Sequence, residues 1–439
     1  MQIQRQTAGF SNTQGSAARS PLDGYQPQPG VYDEYLTPAG AIREHWQGFA
    51  NQVRQLGAPE MERRWNRSQR LIYENAVAYT PHGDGRARPW QLDPVPLLLS
   101  NAEWRKISEG VEQRAKLLDL VLRDLCGAQE LIKSGTLPAE LLYRHPGYLL
   151  PLLRTGQGAP APAGEPGRTT QPARMLTFYA ADLGRSPDGA WWVLADRTES
   201  PSGVGFALEN RIVVSRMLAE PFRDCRVHRL AGYFARVREV MEAHAPHQVR
   251  NPSIAILSHG PTQPNFFEDA YVARYLGYML VEGEDLTVRQ CGLWLKTLEG
   301  LMPIDVLLRR PNSSLCDPLE LDPQSRVGIA GLTQAQRDGN VAIANALGSG
   351  LVESPVFMAF LPRLCQRLLG EPLKLPGVAT WWCGEPQSLE FVLANLHRLI
   401  LKKAFRTRGQ ESLITAKLGE LSPEELAKQV RNDPAGFVA

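Results

Sequence analysis

The run Trp191–Ser215, WWVLADRTESPSGVGFALENRIVVS, holds the side chains best suited to chemistry. Its first apolar stretch, Ala190–Ala195, reads as a strand that delivers Asp196. A Gly/Pro turn follows. A short second strand, Phe206–Leu208, then delivers the adjacent Glu209 and Asn210, with Arg197 and Arg211 beside them. Two carboxylates and an amide oxygen on neighbouring strand ends make a hard-oxygen set for Mg²⁺. Such an ion would bridge phosphate oxygens of ATP, and Arg197 and Arg211 would stabilise a transferring phosphoryl group. A surface hairpin with ordinary ion pairs accounts for the same spacing and, on spacing alone, is the commoner arrangement.

Lys402 ends the apolar run Leu399–Leu401. A lysine within a buried strand needs a partner, and phosphate is one; alternation out to solvent is the other reading. His397, Arg398, Lys402, Lys403, Arg406 and Arg408 form a basic stretch, but only Phe405 offers a stacking surface, so nucleic acid is a poor fit. Gly260-Pro261-Thr262 and His259 follow an apolar strand and read as an anion-facing turn or a plain one. Asn340 and Asn345 read as site residues or caps. The chain has no Walker A, G-x-S-x-G or HExxH motif.

The elements that must position these groups alternate in type. Spacings of three and four predict a helix from Gly40 to Trp65 and a helix pair over Asn101–Lys133, the first with a stripe of Trp104, Ile107, Val111, Ala115 and Leu118. Leu71–Thr80 reads as extended, with a turn at His82–Gly85. Met175–Ala181 pairs with Ala190–Ala195 across the turn Ser186–Gly189. Thr155–Pro172 reads as a flexible loop. Strands are expected at Ser253–Ser258, Met279–Val281, Leu293–Thr297, Ile304–Leu308 and Leu399–Lys403, and helices at Asp269–Gly277 and Pro423–Val430.

The chain has 439 residues, 43% hydrophobic and 21% charged, with a formal charge of +2 from 48 basic and 46 acidic residues. That balance argues against bulk attraction to nucleic acid or membrane. Cysteines 126, 225, 291, 316, 365 and 383 form no CxxC pair, which removes zinc and thioredoxin-type chemistry and fits reduced thiols. The first residues carry no apolar signal stretch, and no run is long enough to span a bilayer. A cytoplasmic protein is expected.

Several blocks together resemble the circularly permuted ATP-grasp family: Tyr32–Trp46, Gln113–Leu125, Asp196–Arg211, Val272–Leu286, Asp338–Pro362 and Gly377–Gly384. The resemblance runs from about Tyr32 to the end and is distantly similar to glutathionylspermidine synthetase-type ligases. It implies an α/β (α+β) ATP-grasp-like fold in permuted order. The expected divisions are a disordered 1–30, a helical region with metal-binding strands over 31–250, a pre-ATP-grasp-like unit over 251–395 and the start of a nucleotide lobe over 396–439. Only 36 residues follow Lys403, so that lobe is expected to be incomplete. The resemblance implies ATP and Mg²⁺ as cofactors. Asp196, Glu209 and Asn210 stand where the family has an acid and a Glu-x-Asn pair, and Lys402 where it has a phosphate-binding lysine. The implied reaction joins a small-molecule or peptide carboxylate to an amine through an acylphosphate. Two departures stand out. Glu209 and Asn210 are adjacent, and Asn312-Ser313-Ser314 replaces an acidic pair after Arg309-Arg310. The first leaves open which of the two would ligate metal; the second, with the short stretch after Lys403, keeps open a second reading, an inactive scaffold or interaction protein.

Overall fold

The computed structural model describes residues 21–79, 88–153, 174–405 and 421–439. The expected turn at His82–Gly85, the loop Thr155–Pro172 and the first twenty residues lie outside these. The chain forms two compact units. Of the described residues, the first holds those up to Ala78 and those within Pro89–Ser100 and Leu208–Arg229; the second holds those within Tyr79–Arg88, Asn101–Ala207 and Leu230–Ala439.

In the first unit a helix spans Glu44–Glu74 and buries Trp46, Phe49, Val53 and Met61 with Met217 and Leu218. Gly57, at φ 71°, breaks its regularity two residues before Pro59. The helix continues through Leu71–Glu74, which corrects the extended reading there. Only β1 (Ala78–Tyr79) is extended, and β2 (Arg88–Pro89) follows in sequence. Helix growth is cooperative, so an established helix carries residues of modest propensity. Ile72 is buried on its inner face.

In the second unit, helix Asn101–Leu125 buries Ile107, Arg114, Leu117, Leu118, Val121 and Leu125. The buried face therefore differs from the expected stripe: Trp104 is exposed and Arg114 is fully buried. Strands β3 (Ala180–Arg185) and β4 (Trp191–Arg197) pair antiparallel, later in the chain than expected for the first of them. Among the described residues, β5 (Ile254–Leu257), β6 (Met279–Val281), β10 (Val306–Arg309) and β11 (Ala342–Ala344) make a parallel sheet in the order β11-β10-β5-β6. All four residues of both β5 and β10 are buried, as expected of parallel strands covered on both faces. Between them in sequence, β7 (Leu286–Arg289), β8 (Gly292–Thr297) and β9 (Gly300–Ile304) form an antiparallel meander. Near the end β12 (Lys402–Lys403) pairs with β13 (Phe437–Val438). The strand expected over Leu399–Lys403 is thus reduced to its last two residues, because Leu396–Arg398 turns as a short 3-10 helix.

Candidate functional site

The expected strand Phe206–Leu208 is instead the start of a helix, Val204–Met217. Phe206, Glu209, Val213 and Met217 are buried at helical spacing. The carboxylate of Glu268 caps the start, accepting the N–H groups of Gly203 at 2.6 Å and Gly205 at 3.0 Å. Glu209, Asn210 and Arg211 are consecutive on a helix, so their side chains point about 100° apart. They find separate partners within the first unit. Glu209 accepts from Asn75 at 2.7 Å and Asn210 from Trp90 at 2.7 Å. The guanidinium of Arg211 lies 5.8 Å from the Phe222 ring centre, and burial lowers its pKa.

Asp196 ends β4 as expected, in the second unit. Its carboxylate is 3% exposed and takes Arg114 Nε at 3.0 Å, Arg114 Nη2 at 2.8 Å and the Tyr179 hydroxyl at 2.6 Å. Burial alone would lower the Arg114 pKa; the bonds and charge of Asp196 reverse it, and the net direction is up. Burial, then the Asp196 charge, pushes the Tyr179 phenol well above its ordinary value. The alternation of a strand sends the next residue the other way. Arg197 donates to Asp182 from Nε at 3.1 Å and Nη2 at 2.5 Å, and its Nη1 lies 3.5 Å from Glu353.

Beyond Arg197 the chain is stitched to the carboxyl ends of β10 and β11. Glu353 accepts the N–H groups of Thr198 at 2.9 Å and Glu199 at 2.8 Å. Asn345, at the end of β11, accepts from the backbone of Thr177 and Phe178 and donates to the carbonyls of Phe178 and Thr198, all at 2.7 Å. Arg309, at the end of β10, is 1% exposed. It donates to Glu199, Ser349 and the carbonyls of Pro311, Asn345 and Ala346. Burial would raise the Glu199 carboxyl; the charge of Arg309 and the bonds from Ser313 outweigh it and hold the pKa down. The next residue, Arg310, joins Asp269 at 2.6 Å, Glu268 at 3.1 Å and the Pro201 carbonyl at 2.9 Å. Ser258, just after β5, donates to Asp269 at 3.0 Å; burial raises the Asp269 pKa against the pull of Arg310. Carboxylates for Arg309 and Arg310 thus come from Glu199, Glu268 and Asp269, distant in sequence from Asn312–Ser314, and Ser313 donates its hydroxyl to the Glu199 carboxylate at 2.6 Å.

Carboxyl ends of parallel strands are where open α/β sheets bind ligands. Here they gather guanidinium–carboxylate pairs, with the five N–H donors of Arg309 all engaged inside the protein. Lys402 is exposed on β12, its alternation out to solvent realised, while Lys403 stacks 3.8 Å over Phe437 and burial lowers its pKa. Arg406 and Arg408 of the basic stretch lie outside the described residues.

Mg²⁺ fits these residues poorly. Among the described residues no group of three or more His, Cys, Asp or Glu is arranged to hold a metal. Asp196 is enclosed by Arg114 and Tyr179, Asp182 and Glu353 are bridged by Arg197, and Glu209 and Asn210 diverge as neighbours on a helix, each with its own partner. Asp182, Glu353, Arg114 and Tyr179 escaped the sequence reading. The expected strand stopped at Ala181, one residue short of Asp182; continuing its alternation would have found it. The Arg114 pairing, across 82 residues, left no local signal.

The family model for circularly permuted ATP-grasp type 2 proteins matches residues 96–439. An uncharacterised protein of Mycobacterium tuberculosis is 34% identical over 99% of this chain, which spans 48% of that relative's length. The chain therefore spans about half the length of such curated relatives. An uncharacterised protein of Synechocystis is 29% identical over 95% of this chain and 84% of its own length. Among solved structures, a glutathione synthetase-like effector from Globodera pallida, in its apo form, aligns with TM-score 0.48 at 14% identity, covering 86% of this chain and 79% of that one.

Proposed function

Because the chain belongs to the circularly permuted ATP-grasp type 2 family, we propose that it takes part in the ATP-dependent joining of a carboxylate to an amine. In this reading the γ-phosphoryl of ATP passes to the carboxylate, giving an acylphosphate and ADP. The amine then displaces inorganic phosphate and gives up a proton as the amide forms. The acid and amine are small molecules or peptides. No helix of the described residues is long and apolar enough to cross a membrane.

The observation that supports this reading is the set of arginines at the carboxyl ends of β4 and β10, each held by carboxylates or backbone carbonyls. Arg197 is 35% exposed and would meet phosphate oxygens directly. Arg309, with no exposed side-chain surface, would act by holding Glu199 and the loop after β11 in place. Lys402 is proposed as a further phosphate contact, from its exposed place on β12, and Arg211 keeps its proposed role of stabilising a transferring phosphoryl group. Mg²⁺ belongs to this reading as the counterion that ATP carries. Asp196, Glu209 and Asn210 are not proposed as its seat, for the geometric reasons above.

The test is ADP release from ATP with pools of amino acids and peptides offered as acid and amine. Release that requires both an acid and an amine, and that falls in Arg197→Ala, is the expected result. Hydrolysis indifferent to both, or no ADP with any pair, overturns the ligase reading.

A further inference from the structure

The register of β3 and β4 separates two roles. Ala181 stands opposite Asp196, Asp182 opposite Ala195 and Ala180 opposite Arg197. Residues directly opposite share a face. Asp182, Ala195 and Arg197 therefore share one face, while Asp196 lies on the other with Arg114 and Tyr179. On the first face Asp182 and Glu353 supply two carboxylates, 46% and 10% exposed, but the position opposite Asp182 is an alanine with no oxygen to offer. The cation between them is Arg197. It holds Oδ2 of Asp182 with two nitrogens and reaches Oε1 of Glu353, whose Oε2 is already fixed by two backbone N–H groups.

A divalent ion entering here would have to displace a guanidinium tethered to the adjoining strand, which acts at high effective concentration. Mg²⁺ also demands near-octahedral oxygens at about 2.0–2.1 Å and sheds water reluctantly. Arginine stays charged at any working pH and presents a planar fork that matches phosphate and carboxylate oxygens.

We propose that Arg197 is the built-in cation of this face, standing between Asp182 and Glu353 where a protein-held divalent ion would otherwise sit. Phosphate or carboxylate oxygens brought to this face meet a guanidinium rather than a metal held by the chain. The identity of that anion rests on the ligase reading; the exclusion of the divalent ion does not.

Mn²⁺ alone is the probe, titrated into the nucleotide-free chain and followed by electron paramagnetic resonance. The wild type is expected to show no site that depends on Asp182. Arg197→Ala removes the guanidinium between the two carboxylates and is expected to gain one site per chain, at least about tenfold tighter than any wild-type binding. Adding Asp182→Asn to that variant should abolish the gain. Arg197→Lys, which keeps the charge, should behave as the wild type. A wild-type Mn²⁺ site that Asp182→Asn removes overturns the proposal, as does a folded Arg197→Ala that gains nothing. The wild-type and Asp182→Asn titrations decide the matter even where Arg197→Ala fails to fold. A failed ADP-release screen leaves each of these outcomes unchanged.

Discussion

Replacing Asp196 with asparagine separates an anchoring carboxylate from a metal ligand, because the two roles predict opposite effects on stability. A carboxylate gathered with others to await a cation is repelled by its neighbours, so neutralising it stabilises the metal-free protein. Asp196 instead faces a fully buried guanidinium through two bonds and a phenol through a third, at 3.0, 2.8 and 2.6 Å. Asp196→Asn keeps the shape but leaves Arg114 charged and unpaired at 0% exposure. Breaking a buried pair in this way costs about 3–5 kcal/mol. For a cooperative unit of this size that is roughly 4–7 °C in Tm. Tyr179→Phe removes one charge-assisted bond and should cost about 1.5–3 kcal/mol. Arg114→Met with Asp196→Asn removes both charges and should recover much of the loss. The assay is urea unfolding followed by tryptophan fluorescence, on each single variant and the pair. An unchanged or raised midpoint in Asp196→Asn would refute the anchoring role.

Two further outcomes follow from buried groups of the second unit. His145 accepts the Gly147 N–H at Nδ1, so in its neutral form the proton sits on Nε2, 2.7 Å from the Ser354 hydroxyl, and the ring cannot serve as base for that serine. Burial lowers its pKa from 6.5 to about 4. The unfolded chain therefore takes a proton that the folded chain refuses. Stability present above pH 6.5 is lost as pH falls toward 4, by up to about 3 kcal/mol. Tm measured at pH 7.5 and 4.5 should fall less in His145→Gln than in the wild type, and equal falls would count against it. Gly350 lies where a β-carbon would come 2.0 Å from Glu199 Oε2. Gly350→Ala should push that carboxylate off its backbone contact and cost about 1–3 kcal/mol in urea, whereas an unaltered midpoint would show that the loop yields freely.

What could be read from the sequence was local in origin. The strands Ile254–Leu257 and Met279–Val281, the helices Phe266–Leu276 and Pro423–Asn432 and the hairpin turn before Trp191 each carry their own apolar periodicity or turn residues, and each formed where expected. Asp196 at the tip of β4 was likewise legible. The reading of Phe206–Leu208 as a strand failed because three apolar-rich residues carry no period. What settles that segment is Glu268, 63 residues away, capping Gly205. The role of Asp196 was decided the same way, since a carboxylate looks alike in sequence whether it awaits a cation or already holds one. Arg114, 82 residues earlier, Asp182 across the hairpin and Glu353, 156 residues beyond Arg197, meet only once the chain is folded. Side-chain charges are written in the sequence, but the partner that neutralises each one is a matter of distance in space, and folding alone sets it.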